Sequence, residues 1–243
     1  MTLLFHASDL HFGREDGAAL AWFMAQAERG KPDAIIITGD LTMRARHSEF
    51  QAASRWLESL PSPVSVEVGN HDLPYFDPLA RFFRPYKRYD RLEKLIERPL
   101  EVPHVSIVPL RTTARAQWRL NWSKGIVTED RLRESLDVLA ATETPHRLIA
   151  CHHPLIEAGT SGTAATRGGR RALRALAAQG ATAVLSGHVH DPFDHIEMID
   201  GRPIRLIGAG TLSERLRDTR PGYNAIRIDP DTHAMTVEPV ALS

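Results

Sequence analysis

Apolar residues fall along the chain in two rhythms. Short, mostly apolar strand-like runs cover 3–7, 34–38, 64–68, 105–110, 147–151 and 182–186, and further runs cover 193–199, 204–207, 223–228 and 235–239. Between them, residues 18–29, 48–60, 129–140 and 170–179 carry apolar side chains at helical spacing. This alternation predicts βαβ units around partly parallel sheets. "DG" and "DPD" turns between the last strands predict an antiparallel finish. No internal repeat, low-complexity segment or linker interrupts the pattern, so residues 1–243 read as one domain.

The polar residues are placed less evenly. Asp9 and His11 follow the first strand, Gly39 and Asp40 the second, and Gly69, Asn70, His71 and Asp72 the third. His152 and His153 follow the "RLIA" strand, and His188 and His190 the "AVLS" strand. Taken singly, each has an ordinary explanation: a helix cap, a turn residue, a tight-turn glycine or a core histidine. Together they place five clusters at five strand exits, where α/β sheets gather their ligands.

Composition narrows the chemistry. The formal net charge is 0, so no global field draws the chain to nucleic acid or an anionic surface. The single cysteine, Cys151, excludes an internal disulfide and a multi-cysteine zinc site. No apolar run approaches the ~20 residues of a membrane span, and the start "MTLLFHASD" lacks the parts of a secretory signal, which makes the cytoplasm the expected compartment. Asp, His and Asn supply oxygen and nitrogen ligands without thiolate, a set that suits Mn, Fe, Zn or Ni. Asp9 and His11 lie two apart, as do His188 and His190, so on an extended chain each pair would leave the same face. Asparagine fits as a neutral oxygen donor. The candidates are too many for one ion but suit two ions ~3.5–4 Å apart that share a carboxylate. Asp40, the lone strand-exit carboxylate between the two groups, is the natural bridge.

In this order, "DLH" (Asp9, His11), "GD" (Asp40), "GNHD" (Asn70 to Asp72), "HHP" (His152) and "GHVH" (His188, His190) resemble the motifs of the calcineurin-like metallophosphoesterases. The resemblance implies an α/β fold with two mixed β-sheets packed face to face and flanked by helices. It implies that Asp9, His11, Asp40 and His190 hold one metal ion, and that Asp40, Asn70, His152 and His188 hold the other. His152 is taken as the ligand because it opens the H-H-P pattern, which leaves His153 a structural or supporting role. The implied cofactors are two divalent or mixed-valence ions, Mn or Fe first and Zn as an alternative. The implied reaction is phosphoester hydrolysis, with hydroxide from metal-held water as nucleophile, Asn70 and His71 contacting the substrate and His71 as general acid to the leaving oxygen. Asp72 is expected to orient the His71 ring.

"GDLTMRARHSEF", "LNWSKG" and "PGYNAIRID" are similar to the bacterial cyclic-nucleotide phosphodiesterase (class III) branch. That implies a small phosphodiester substrate. Related branches cleave nucleotide-lipid pyrophosphates, of the UDP-diacylglucosamine type, or simple monoesters on the same metal core. A non-catalytic scaffold would be expected to have lost ligands or the histidine of "GNHD", and neither is lost. Arg44 and Arg46 are candidate phosphate contacts, as are Arg215 and Arg217. The aromatic and basic stretch 74–103 reads as a lid, a homodimer surface or an amphipathic helix pair. The stretch 159–174, with four arginines and no acid, reads as a surface loop leading into a helix or as an anion contact.

Overall fold

The computed structural model describes residues 1–74, 77–96, 100–114, 123–157, 159–160 and 166–243. In chain order the elements are β1 (Thr2–Ala7), α1 (Gly17–Gly30), β2 (Ala34–Ile37), α2 (His47–Glu58), β3 (Val64–Val66), α3 (Pro78–Phe83) and α4 (Lys87–Ile96). They continue with β4 (Val105–Pro109), α5 (Glu129–Ala140), β5 (His146–Ala150), α6 (Gly169–Ala178), β6 (Ala183–Ser186), β7 (Phe193–Ile199), β8 (Arg202–Gly208), β9 (Gly222–Ile228) and β10 (Met235–Ala241).

Two five-stranded sheets result, ordered β10-β9-β1-β2-β3 and β4-β5-β6-β8-β7. Within each, the central strands run parallel, and their carboxyl ends share one edge. Successive residues of a strand face opposite layers. Leu4 of β1 packs with Ile36, Leu148, Leu185 and Ile207 between the sheets, whereas Phe5 packs outward with Phe23 of α1 and Phe50 of α2. In the second sheet Leu148 faces inward, while Ile149 meets Leu132 of α5 and Leu173 of α6. Strands covered on both faces read as unbroken apolar runs, and the layers form the expected α/β/β/α sandwich.

The antiparallel finish is divided between the sheets. β7 and β8 form a hairpin in the second sheet, turning at Asp200 and Gly201 with φ of 48° and 78°, as a type I′ turn requires. β9 then crosses to the first sheet, where it runs antiparallel to β1 and β10. The split follows from β8 pairing parallel with β6, a long-range choice that turn residues do not encode.

Of the stretch 74–103, the described residues form the helix pair α3 and α4. Tyr89, Leu92 and Ile96 of α4 are buried in the cluster that holds Phe50 and Leu57 of α2. Residues 75–76 and 97–99 of this stretch lie outside the described residues, as do 120–122 of "LNWSKG" and 161–165 of the arginine-bearing stretch.

Candidate metal centre

The five strand exits meet. Asp9, His11, Asp40, His188 and His190 all adopt left-handed backbone, with φ of 55°, 46°, 50°, 68° and 56°. Such conformations are uncommon outside glycine and concentrate at functional sites. The D-x-H and H-x-H pairs are therefore aimed by left-handed turns, and the extended-chain argument for them was wrong. Hydrogen bonds between loops hold the turns: Asp9 N donates to Gly39 O at 3.0 Å, His11 N to Asp40 O at 2.9 Å and Gly187 N to His152 O at 2.9 Å.

Asp9, His11 and His190 make one half of the cluster. Asp9 Oδ1 lies 3.0 Å from His190 Nε2 and 3.5 Å from His11 Nε2, and the two ring nitrogens are 3.2 Å apart. Asp40 Oδ2 faces both halves, 3.8 Å from His11 Nε2 and 3.4 Å from His152 Nε2. Asn70 Oδ1 is 3.2 Å from His152 Nε2. The His188 ring stands 5.1 Å from the His152 ring, and its backbone N–H donates to Asp9 Oδ2 at 2.8 Å.

Backbone carbonyls fix the rings. His152 Nδ1 donates to Thr38 O at 2.8 Å, His190 Nδ1 to Arg215 O at 2.6 Å and His71 Nδ1 to Met43 O at 2.7 Å. Each bond leaves Nε2 turned into the cluster, the arrangement that supports histidine ligands in metal sites. Two glycines are needed for approach. A Cβ at Gly69 would lie 2.0 Å from Asp40 Oδ1, and one at Gly187 would lie 1.8 Å from Ser8 Oγ and 2.6 Å from Asp9 Oδ2. Gly69 has φ −96°, so space rather than backbone freedom requires it.

The electrostatics suit a cation. Burial pushes the Asp9 carboxyl up, but His190 and His11 outweigh it and hold the group well below the usual range. Asp40 is likewise lowered, as His152, His71 and His11 overcome its burial. Burial lowers His11, and burial with His152 takes His188 down to about 3, so both keep a free lone pair. Burial opposes charge on His152 and His190 too, but Asp40 and Asp9 overcome it, raising His152 to about 9 and His190 above its usual value, so a cation would displace a proton from those two rings. Asp9 Oδ1 is fully buried and makes no hydrogen bond of good geometry although ring nitrogens surround it. A buried acceptor facing inward-turned Nε2 atoms is a donor set for a metal ion, and the residues present fit one.

One expectation changes. Asp72 does not orient His71. Its Oδ2 accepts from Gly69 N at 2.9 Å and Leu41 N at 3.1 Å, and its Oδ1 from Thr42 N at 2.8 Å and Thr42 Oγ1 at 2.9 Å. The carboxylate ties the Asp40 loop to the Asn70 turn, while Met43 O holds the His71 ring. Arg46 Nε lies 3.9 Å from Glu49 of α2, and Arg44 is exposed with its backbone N–H on the same glutamate. An arginine that the structure does bring to the cluster is Arg215, whose Nη1 is 3.0 Å from His71 Nε2 and 3.2 Å from His11 Nε2. His153 is committed elsewhere: Nδ1 accepts from Thr112 Oγ1 at 2.9 Å and Nε2 donates to Ser123 O at 2.9 Å.

Sequence reading missed the loop that carries Arg215 as a unit. Thr211 Oγ1 donates to Asp9 O at 2.7 Å and pairs with Ser213 Oγ at 2.7 Å, and Arg215 N donates to Ser213 Oγ at 3.3 Å. The available signal was position: "GTLSER" follows β8 and is a sixth strand exit.

A four-layer sandwich with an Asp/His/Asn cluster at the carboxyl ends of its parallel strands defines a metallophosphoesterase. The sequence profile of the calcineurin-like phosphoesterases matches residues 3–192, and the chain belongs to that family of phosphoester hydrolases. It is 25% identical over 242 residues to a probable cyclic nucleotide phosphodiesterase of Synechococcus sp., covering 92% of this chain and 86% of that one. It is 33% identical over 94 residues to a glycerophosphodiester phosphodiesterase of Enterobacter lignolyticus, covering 32% of this chain and 34% of that one. In fold it is similar to a dimetal phosphatase from Danio rerio, with TM-score 0.69 and 14% identity over 98% of this chain and 95% of that one. Among the described residues no helix is long and apolar enough to cross a membrane.

Proposed function

We propose that the protein is a two-metal phosphodiesterase acting on small diesters, cyclic nucleotides among them. The observation that carries this is Asp40, whose Oδ2 faces His11 Nε2 on one side and His152 Nε2 on the other. Asp9, His11, Asp40 and His190 would hold one ion, and Asp40, Asn70, His152 and His188 the second. Bound ions of this kind supply a strong nucleophile near neutral pH and withdraw charge from phosphoryl oxygens.

The chain's own residues do the rest. His71 is anchored through Nδ1, which leaves Nε2 facing the substrate side; there it accepts from Arg215 Nη1, and it would carry a proton for the leaving oxygen once that donor turns to the phosphoryl group. The Arg215 guanidinium, touching both His71 and His11, can turn its donors onto the phosphoryl oxygens, which match its fork. The diester class is supported by the names of the two relatives above.

The test is one panel on protein reconstituted with Mn, Fe or Zn: mono- and diesters, 2′,3′- and 3′,5′-cyclic nucleotides, and a nucleotide-lipid diphosphate. Diesters should turn over fastest, with two metal ions bound per chain. Preference for monoesters or the lipid diphosphate would overturn the diester assignment. No turnover of any ester by fully loaded protein would overturn the function.

A further inference from the structure

Helix α3 is built inside out. It buries Arg81, whose Nη1 donates to Pro74 O at 3.3 Å. It exposes Leu79, Phe82 and Phe83 at 71%, 60% and 70%. These three stand at i, i+3 and i+4 and so share one helix face, and the two phenyl rings pack edge to face at 5.3 Å. A contiguous exposed apolar patch with a buried charge behind it is the informative departure from ordinary burial. It marks a surface made for contact.

The surroundings say what kind. A cleft of about 540 Å³ runs from Pro74 along this face, lined by Leu79 and Phe83 together with Arg84, Lys87, Arg88 and Arg91. Those four cations are exposed. Residues 77–96 hold six basic and three acidic side chains in a chain whose formal net charge is 0. The positive charge is therefore concentrated around the apolar face. A symmetric contact with a second copy would lay these cations against themselves, because such an interface is self-complementary. A nucleic acid would satisfy the cations but leave the face of α3 without an apolar partner.

We infer that α3 and the exposed side of α4 dock onto an anionic lipid surface. Leu79, Phe82 and Phe83 enter the acyl boundary, and Arg84, Lys87, Arg88 and Arg91 meet the headgroups, the division of labour of an interfacial amphipathic element. This goes beyond hydrolysis itself. It brings the catalytic turn, which ends two residues before Pro74, to the membrane face.

Flotation of the full-length, metal-loaded protein with phosphatidylcholine vesicles, with and without phosphatidylglycerol, tests it. With Arg81 buried, the surface excess of two positive charges should raise partition onto the anionic vesicles on the order of 30-fold over neutral ones, and salt should reverse it. The double variant F82S/F83S and, separately, Arg84→Glu with Arg91→Glu should each lose that partition while hydrolysing a soluble ester at the wild-type rate, which shows that they are folded. Binding by the variants equal to wild type, or no binding by wild type, overturns the inference. So does a concentration-dependent dimer that F82S/F83S disperses in a protein indifferent to vesicles. Retention on single-stranded DNA together with indifference to anionic vesicles overturns it as well.

Discussion

Replacing Asp72 with asparagine separates two accounts of one residue. As a brace, the carboxylate collects four donors: Gly69 N and Leu41 N on Oδ2, Thr42 N and Thr42 Oγ1 on Oδ1. An amide has one oxygen. Placed where Oδ2 was, it keeps Gly69 N and Leu41 N but turns its NH₂ toward Thr42 N–H, donor against donor, while the Thr42 hydroxyl can rotate to accept. The other orientation strands two backbone donors. The better choice leaves one buried N–H without an acceptor, a cost of about 1–3 kcal/mol. Burial and the nearby Asp40 carboxylate push the Asp72 carboxyl up to about 7, so neutralisation returns part of that cost. The net expectation is a loss of about 2 kcal/mol in urea unfolding near pH 8. Because the donors belong to residues beside Asp40 and Asn70, metal affinity by chelator competition should weaken about 10–100-fold, as for other groups that orient ligands. Turnover should recover at saturating metal. Wild-type stability and metal affinity with a lasting fall in turnover would refute the brace and restore Asp72 as the orienter of His71.

Arg215→Ala should lower kcat/KM about 100–1000-fold, the scale seen when one donor to a developing charge is removed. It should weaken competitive inhibition by inorganic phosphate and leave metal content unchanged, because the backbone carbonyl that holds His190 remains; Arg215→Lys should recover part of the loss. Gly69→Ala should lower bound metal sharply, since its Cβ would sit 2.0 Å from Asp40 Oδ1 and 2.2 Å from Asp40 N; full metal occupancy in that variant would contradict the packing. Glu67 is pushed up from 4.5 to about 8 by burial and then by Glu93, with Arg111 and His152 opposing. The folded chain therefore holds a proton that the unfolded chain releases near pH 4.5, and stability falls as pH rises from there to about 8, by at most ~5 kcal/mol. Glu67→Gln should flatten that slope, and urea midpoints against pH measure it. Removal of metal by a chelator should leave far-UV circular dichroism unchanged, since Thr38 O, Arg215 O and Asp72 hold the ligand loops without it.

The ten strands and the meeting of five polar clusters were legible because they rest on local signals: apolar runs covered on both faces, each ending in a residue type that binds metal. What escaped was set by contacts far apart in sequence or by backbone shape. The partition of β7 to β10 between two sheets depends on β8 choosing β6 and β9 choosing β1. No residue pattern announced that Asp9, His11, Asp40, His188 and His190 are all left-handed: aspartate and histidine visit that region more often than most residues, but still in a minority of cases, so residue type alone does not select it. Asp72 escaped because its partners are mostly backbone N–H groups, which look the same at every position. Arg215 is legible as a phosphate contact, but Thr211 and Ser213 of its loop escaped because threonine and serine are not metal-ligand types, although Thr211 bonds Asp9 O and the Arg215 carbonyl holds His190. Helix α3 reverses the usual rule, burying Arg81 and exposing Leu79 and two phenylalanines, which the sequence left open between a lid, a homodimer surface and a helix pair.

These failures share a cause that bears on function. A residue held in a sparsely populated conformation costs on the order of 1–3 kcal/mol, and this site holds five side by side. Strain of that size persists only where other contacts over-determine it. Here the contacts are the crossed backbone bonds from Asp9 to Gly39 and from His11 to Asp40, together with the carbonyls of Thr38, Met43 and Arg215 on three imidazoles. These bonds run between backbone groups and imidazoles of the chain itself, and they aim Asp9, His11, His71, His152 and His190 at one another. The residues that shape the site therefore extend beyond those that would hold a metal: Thr38, Gly39, Met43 and the Arg215 carbonyl set the direction of its side chains.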